Sequence, residues 1–209
     1  MRLLTFVVAL CLGVSAAADW TNEDVPVGLM PEGSALEDPA GTWTASGAGE
    51  DIWEDTDQFR YVYRELHGDF FFSARIDTLA DTHAYAKAGL MLRSGLEPGA
   101  AHALINVFPH GLLEMGYREI PGASMKALPA GDGALPGLRL KLERRGDRIT
   151  AFAAAGDEDF GDPRGQVQLP GLPEQVFVGF AVLSHDDAQL TSSSIRDWRI
   201  EEVSAIVQP

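Results

Sequence analysis

The chain shows no sustained 3.6-residue apolar pattern after its first eighteen residues, and this constrains its fold more than any other feature. Short apolar runs alternate instead with Gly, Pro, Asp and Asn clusters, such as "HGD" at 67–69 and "RGD" at 145–147. Ten strands are predicted, at 41–46, 58–65, 69–78, 85–93, 102–108, 111–118, 137–144, 148–154, 175–184 and 193–201. Strands at this spacing predict an all-β fold, a two-sheet antiparallel β-sandwich of the jelly-roll type, with residues 121–136 as a surface loop.

Residues 1–18 have the features of a signal peptide. Arg2 supplies the positive n-region, "LLTFVVALCLGV" the apolar h-region, and "SAAAD" the small residues that signal peptidase requires, so cleavage is predicted after Ala18. The apolar run is too short to span a bilayer. We therefore expect a secreted or periplasmic protein whose residues 19–209 form a single domain, with its oligomeric state left open.

Cleavage at this point changes both the cysteine content and the charge. It removes Cys11, the only cysteine, which excludes a disulfide framework, a thiol nucleophile and cysteine-ligated metals. It also removes Arg2, so the net charge of −15 becomes −16. Such a surface repels nucleic acid and anionic lipid, and neither nucleic-acid binding nor membrane insertion is expected.

Several predicted strands are apolar on both faces. In "YAKAGLMLRS" (85–94) the alternation places Ala86, Ala88, Leu90 and Leu92 on one face, and Tyr85, Lys87, Met91 and Arg93 on the other. Strands of this kind are covered on both sides, one of which is the sandwich core. The second face is predicted to be a concave surface, where Tyr85, Lys87, Met91 and Arg93 line a ligand groove.

Five segments carry a family resemblance: "GEDIWEDTDQFRYVY" (49–63), "GDFFFSARI" (68–76), "AKAGLMLR" (86–93), "LRLKLERRGDRITAF" (138–152) and "VFVGFAVLSHD" (176–186). In this order and spacing they resemble the DUF1349, or regulation-of-enolase-like, family, and the resemblance covers residues 19–201. It implies a concanavalin A-like lectin/glucanase jelly roll, a domain type that is appended to bacterial glycosidases. The family's Ser-x-Asp-Gly…Trp turn is replaced here by "AAGDEDF", with Phe160 near the Trp position.

An exported jelly roll of this kind is expected to bind an oligosaccharide or polysaccharide without catalysis. Aromatic rings supply platforms for sugar rings, and charged or amide groups bind hydroxyls. The predicted platforms are Trp53, Tyr61, Tyr63, Tyr85 and Tyr117, with Met91 as apolar floor and Lys87, Arg93 and His185 as polar contacts. Lys87 and Arg93 are equally suited to ion pairs with carboxylates such as Asp57 or Asp186, and Trp53 to closing the sandwich.

Two alternatives stay open, a polysaccharide-active hydrolase or lyase and a structural or protein-interaction jelly roll without a sugar ligand. The E-x-D-x-x-E spacing of glucanases of this fold is absent, since "EDIWED" (50–55) has the wrong period, so no catalytic residue is predicted. A lyase would have Tyr117, His185 and Arg93 at its disposal. No cofactor is expected, and a metal is unassigned. Structural calcium stays open because the loops supply hard oxygens from Asp51, Asp55, Asp57, Asp186, Asp187 and Asp197.

Overall fold

The computed structural model describes residues 19–26 and 28–203, and every regular element in these ranges is a strand. The predicted signal peptide lies outside the described residues. In chain order the strands are β1 (Thr21–Val25), β2 (Ser34–Glu37), β3 (Trp43–Gly49), β4 (Ile52–Trp53), β5 (Thr56–Asp57), β6 (Phe59–His67), β7 (Asp69–Leu79), β8 (Lys87–Arg93), β9 (His102–Val107), β10 (Leu112–Arg118), β11 (Lys126–Asp132), β12 (Leu138–Arg145), β13 (Arg148–Ala155), β14 (Gly165–Gln168), β15 (Gln175–Leu183) and β16 (Asp186–Val203).

Fourteen of the strands form two antiparallel sheets of seven strands each. The front sheet has the order β1-β6-β15-β8-β9-β10-β11, and the back sheet has the order β14-β13-β12-β7-β16-β3-β2. Strands β4 and β5 form a separate two-stranded hairpin. The all-β class and the two-sheet jelly-roll sandwich predicted from the sequence are therefore confirmed.

The core lies between the two sheets and uses the alternation read from the sequence. Phe70, Phe72 and Ile76 of β7 face Leu90 of β8 and Phe180 of β15 across it, and all five are fully buried. Because successive side chains point to opposite faces, the alternate residues of these strands lie on the outer faces.

The outer faces of the two sheets are covered to different extents. Every residue of β8 and β9 is buried, whereas buried and half-buried residues alternate along β7 and β12. The front sheet's outer face carries a second apolar cluster, made of Val25, Ile52, Phe59, Tyr61, Tyr63, Met91, Leu104, Met125, Ala181 and Leu183. Hairpin β4–β5 and the segments 94–101 and 119–125 lie over this cluster, and the back sheet keeps a partly open face.

The prediction that residues 121–136 form only a surface loop is wrong. Strand β11 lies within this range and pairs with β10 as an edge strand of the front sheet. The segment has low strand propensity because it contains Pro129 and Gly131, but an edge strand needs hydrogen bonds on one side only. Pro129 lies opposite Glu114, next to a bulge between Leu112 and Glu114. The short strands β1, β2, β4, β5 and β14 were also not predicted.

Candidate functional site

The middle of the front sheet is not an open groove. Lys87 is only 3% exposed, and Met91 and Arg93 are fully buried beneath the covering segments. The prediction that these three side chains line an accessible groove is therefore wrong. The physical reason is that each cation is neutralised by a carboxylate: Lys87 pairs with Asp51, which directly precedes the overlying hairpin, and the Arg93 Nη1 lies 2.6 Å from the Oδ2 of Asp57 in β5.

Asp57 is the centre of a buried charge cluster with Arg93, Arg118 and His102. Its carboxylate accepts hydrogen bonds from the Arg93 Nη1 at 2.6 Å and from the Arg118 Nη1 and Nη2 at 2.7 and 2.8 Å. Burial alone would raise the pKa of Asp57, but the neighbouring His102, Arg118 and Arg93 hold the pKa below its ordinary value. Burial lowers the pKa of His102 to about 4, so this imidazole is neutral near pH 7.

The same two arginines tie the covering segments to the sheet. The Arg93 Nη2 donates to the Glu97 carbonyl at 2.6 Å, and the Arg118 guanidinium donates to the carbonyls of Ala123 at 2.8 Å and Glu54 at 3.0 Å. Each covering segment therefore has a backbone group bonded to a buried guanidinium. The cluster is a structural clamp that fixes the position of hairpin β4–β5.

Three of the predicted tyrosine platforms are not available as platforms. Tyr61 is fully buried, with its hydroxyl 2.9 Å from the Phe177 carbonyl oxygen, and burial raises its pKa. Tyr63 is almost fully buried and stacks on Tyr61 with ring centroids 5.1 Å apart; burial and the nearby Glu23 raise its pKa to about 12. Tyr117 packs half-buried against the core on the other side of the sheet.

The position of Tyr117 also separates the residues considered for a lyase. Tyr117 is paired through Ala103 with Leu92, near the Arg93 end of β8. His185 follows β15, which ends opposite Lys87 at the other end of β8. The register therefore places Tyr117 and His185 at opposite ends of the front sheet, and they do not form a proton-transfer pair.

The remaining predicted residues meet at one end of the front sheet, beside a cleft that we call the hairpin cleft. Its volume is about 270 Å³. It is lined by Glu50, Asp51, Trp53, Glu54, Thr56, Gln58 and His185. Trp53 is 42% exposed, and beyond His185 lies Tyr85, which is 56% exposed. Both are large exposed aromatic side chains, Trp53 within the lining and Tyr85 next to it.

Local hydrogen bonds make the hairpin cleft rigid. The Gln58 amide donates to the Asp51 carbonyl at 2.8 Å, and the Ile52 amide donates to the Asp51 carboxylate at 2.7 Å. The Met125 amide donates to the Glu54 carbonyl at 2.6 Å, which ties the hairpin turn to segment 119–125. Glu54 has a φ of 46°, in the left-handed region that a tight hairpin turn requires. These bonds tie the hairpin to the strand that follows it and to segment 119–125.

His185 stands at the centre of this end of the molecule. Its φ of 59° turns the chain between β15 and β16 and brings its Nδ1 to 3.5 Å from the Asp51 Oδ2. Its ring stacks on His83 with centroids 4.4 Å apart, and Tyr85 lies 5.4 Å away. Burial, followed by the positive charge of Lys87, lowers the pKa of His185 although Asp51 opposes this. The imidazole is thus neutral near pH 7, able to donate one hydrogen bond and accept another.

Two unpredicted polar residues lie deeper on the same face of the sheet. Asn106 is fully buried, and neither its Oδ1 nor its Nδ2 has a hydrogen-bond partner within the described residues. Glu114 lies directly opposite it on β10, and its Oε1 is likewise buried without a partner. Burial raises the pKa of Glu114, Lys87 opposes that shift, and Asp51 adds to it. Unpaired buried groups of this kind are normally satisfied by water or a ligand.

Gly89 explains why the chain comes so close to Asn106. A Cβ at this position would lie 2.2 Å from the Ile105 carbonyl oxygen and 2.7 Å from the Asn106 Cα. Only glycine fits there, which gives a physical reason for the glycine in "AKAGLMLR". Asn106 and Glu114 were detectable in the sequence as polar residues on the outward faces of "HALINV" and "LLEMGYR", which they share with His102 and Arg118, although nothing in the sequence shows that they face each other.

No group of three or more His, Cys, Asp or Glu side chains within residues 19–26 and 28–203 has the arrangement of a metal site. Structural calcium stays an untested expectation. Nor does the described part of the chain contain a helix with the length and apolar character needed to cross a membrane.

Comparisons by sequence find no relative: no family model matches, and no curated protein matches. The likeness to the DUF1349 family thus stays a resemblance. Comparisons by structure find many similar folds.

A functionally unknown protein from Saccharomyces cerevisiae aligns with a TM-score of 0.66 and 16% identity over 90% of this chain and 98% of its own. The carbohydrate-binding module CBM66 from Bacillus subtilis aligns with a TM-score of 0.56 and 17% identity, also over 90% of this chain and 98% of its own. The lectin UEA-II, in complex with galactose, aligns with a TM-score of 0.51 and 11% identity over 88% of this chain and 98% of its own. Glycoside hydrolases are also among the similar structures. At these identities the likeness establishes the fold alone, a two-sheet jelly-roll sandwich.

Proposed function

We propose that the protein is an exported, non-catalytic carbohydrate-binding domain and that its sugar site is the hairpin cleft. The observation that carries this proposal is an exposed aromatic ring, Trp53, in the lining of a cleft with hydrogen-bonding side chains, with a second exposed ring, Tyr85, beside His185 of that lining. The fold is one on which a carbohydrate-binding module and a lectin are also built. Export is supported by the sequence of residues 1–18.

The chemistry of the cleft is suited to a neutral sugar. An indole face offers an apolar platform to the C–H groups of a pyranose ring. The carboxylates of Glu50 and Glu54 accept hydrogen bonds from hydroxyls, and Gln58 and His185 both donate and accept. An acidic sugar would be repelled by the carboxylates, whose nearby cation Lys87 is already paired with Asp51. The proposed ligand is therefore a neutral oligosaccharide.

Rigidity adds to the affinity that such a site can reach. Because hairpin β4–β5 is fixed by the Asp57 clamp and by the bond from Met125 to Glu54, no loop has to become ordered when the ligand binds. Preorganised sites lose less conformational entropy on binding.

A neutral-glycan array followed by calorimetric titration tests this proposal. For the glycan that the array selects, Trp53→Ala should weaken binding at least about tenfold, since it removes the platform. Leu36→Ala is the matched control because Leu36 is 73% exposed on β2 of the back sheet, away from the cleft. Unchanged affinity in both Trp53→Ala and Tyr85→Ala would overturn the assignment of the cleft. Failure of the wild-type protein to bind any glycan would favour the structural jelly roll, which the covered middle of the front sheet supports.

One observation favours a polysaccharide hydrolase as a second candidate. Burial raises the pKa of the Glu114 carboxyl; the positive charge of Lys87 opposes this shift, and the negative charge of Asp51 adds to it. Glycoside hydrolysis uses two carboxyl groups, and the one that acts as the acid has a raised pKa. Release of reducing ends from a polysaccharide panel, abolished by Glu114→Gln, would establish this activity and replace the non-catalytic proposal.

A further inference from the structure

The outer face of the back sheet carries a second groove, which we call the back-sheet groove. Its volume is about 550 Å³, within the roughly 300–1,000 Å³ of small-molecule sites. It is lined by Phe71, Ser73, Ala74, Arg75, Arg139, Lys141, Asp157, Phe160, Asp197, Arg199 and Glu201. Strands β7, β12 and β16 form its floor, and Phe160 reaches it from the segment that follows β13. The hairpin cleft lies on the other sheet, so the two grooves share no residue.

Aromatic rings surround a cation in this groove. The Lys141 Nζ lies 4.0 Å from the ring centroid of Phe152, 4.6 Å from that of Phe160 and 5.6 Å from that of Phe71. The Arg139 guanidinium lies 4.8 Å from the Phe160 centroid. Phe160 is therefore held over the sheet by cation–π contacts, and the half-buried rings give the groove an apolar side.

Several hydrogen-bond donors in the groove lack an acceptor. The Arg139 Nε is buried without a partner among the described residues, although its Nη2 donates to the Glu158 carbonyl. Within the same part of the chain, no ion pair joins Lys141 or Arg199 to a carboxylate, whereas Arg75 is paired with both Asp157 and Asp197. The groove thus presents three cationic side chains with spare donors in a protein of net charge −15.

We infer that the back-sheet groove is a second saccharide site, specific for acidic oligosaccharides. A carboxylate or sulfate on the sugar would accept hydrogen bonds from Arg139, Lys141 and Arg199, and the ring would lie against Phe160. Charge-assisted bonds of this type are the stronger class of hydrogen bond. The choice of a saccharide rests on the proposed function, and the choice of an anion rests on the unpaired donors.

Glu201 sets a limit on this affinity and gives a test of the charge argument. Asp157 is paired with Arg75, and Asp197 with both Arg75 and Arg196, but Glu201 lines the groove without an ion pair in the described residues. Its carboxylate would repel the ligand's anion. Glu201→Gln should therefore strengthen the binding of an acidic oligosaccharide about threefold or more, a gain that damage to the fold would not produce.

The experiment is calorimetric titration of the full chain with three probes: trigalacturonate, a sulfated κ-carrageenan tetrasaccharide and an unsulfated agaro-tetrasaccharide. The acidic probes should bind, and their affinity should fall as NaCl rises because exposed charges are screened over ~8–10 Å. Arg199→Ala and Phe160→Ala should each weaken this binding about tenfold. Arg148→Ala, which removes an exposed cation of β13 outside the groove, is the matched control and should bind like wild type.

The outcomes separate this inference from the proposed function. Binding of only trigalacturonate, or only the sulfated probe, would identify the anionic group. If the acidic probes no longer bind Trp53→Ala but still bind Arg199→Ala, their site is the hairpin cleft, which would overturn the inference. Binding of neutral glycans without either acidic probe would also overturn it and leave the proposed function intact, whereas no binding of any probe or array glycan would overturn both.

Discussion

The two outer faces of the sandwich use similar residues in opposite ways. On the front sheet, Asp57 bonds to Arg93 and Arg118 with all three side chains fully buried. On the back sheet, Asp197 contacts Arg75 and Arg196, and the Asp197 side chain is half-exposed. One carboxylate bridges two guanidiniums in both places. The first set clamps the covering segments, and the second lies at a surface that stays open.

The difference shows that a charged residue on a strand's outward face does not by itself mark a binding surface. Burial decides between the two roles. Where a carboxylate from a covering segment reaches the cation, the face is closed, as it is for Lys87 and Arg93. Where no carboxylate pairs with the cation, as for Lys141 and Arg199 within the described residues, the N–H groups of the cation remain available to a ligand.

The largest expected effect comes from Asp57→Asn. The substitution would leave Arg93 and Arg118 buried without a counter-charge, which should lower the free energy of unfolding by about 3–5 kcal/mol. Asp197→Asn is the matched control on the back sheet, with an expected loss below about 1 kcal/mol because the pair is partly exposed. Urea denaturation of both variants measures this difference. Equal losses would show that the two clusters are energetically alike.

Acidification should destabilise the front sheet's cluster. His102 has a folded pKa of about 4 against about 6.5 when unfolded, so the unfolded chain binds the additional proton between these values. The stabilising contribution is fully present above about pH 6.5 and is lost as the pH falls toward 4. Between pH 7 and 4, wild type should therefore lose about 3 kcal/mol more than His102→Gln. Parallel stability profiles for the two proteins would contradict the neutral, buried imidazole.

Truncating a side chain that covers the front sheet should cost more stability than truncating one that covers the back sheet. Met125 is buried against the front sheet, where its Cε fills the space above Gly116. Met125→Ala should cost about 2–3 kcal/mol through the cavity that it leaves. Thermal or urea unfolding gives the value, and a loss below 0.5 kcal/mol, on the order of a surface substitution, would mean that segment 119–125 is not part of the packed structure.

The smallest effect is expected at the corresponding position over the back sheet. Phe160 is half-buried and is held mainly by Arg139 and Lys141, so Phe160→Ala should cost only about 1 kcal/mol. Urea denaturation beside Met125→Ala provides the comparison. A loss as large as that of Met125→Ala would show that the back sheet is also covered for stability, which would break the contrast between the faces.

Local patterns predicted the strands that form the two sheets' interior. The alternation in "YAKAGLMLRS" put Ala88, Leu90 and Leu92 on one face, which is the core face, and all ten predicted strands have counterparts. The short strands and β11 escaped prediction because their pairing comes from the neighbouring strand and not from their own propensity.

The candidate site was predicted in part. Trp53, Tyr85, Lys87 and His185 lie together at one end of the front sheet, although Lys87 is buried there in its pair with Asp51. Tyr61, Tyr63, Met91 and Arg93 share the predicted sheet face but lie under the covering segments, and Tyr117 points into the core. Asp51, Asn106 and Glu114 could not be assigned because their environment comes from strands and segments distant in the chain.

Taken by itself, the sequence determined the all-β class, the two-sheet sandwich and which residues of the strand at 85–93 share a face, because side-chain alternation depends only on neighbouring residues. It also showed that some strands are apolar on both faces. Only the tertiary structure decided which outward face is covered and which is open. That outcome depends on ion pairs between carboxylates such as Asp51 and Asp57 and cations 36 residues away in the chain, and no local sequence pattern encodes such a pair.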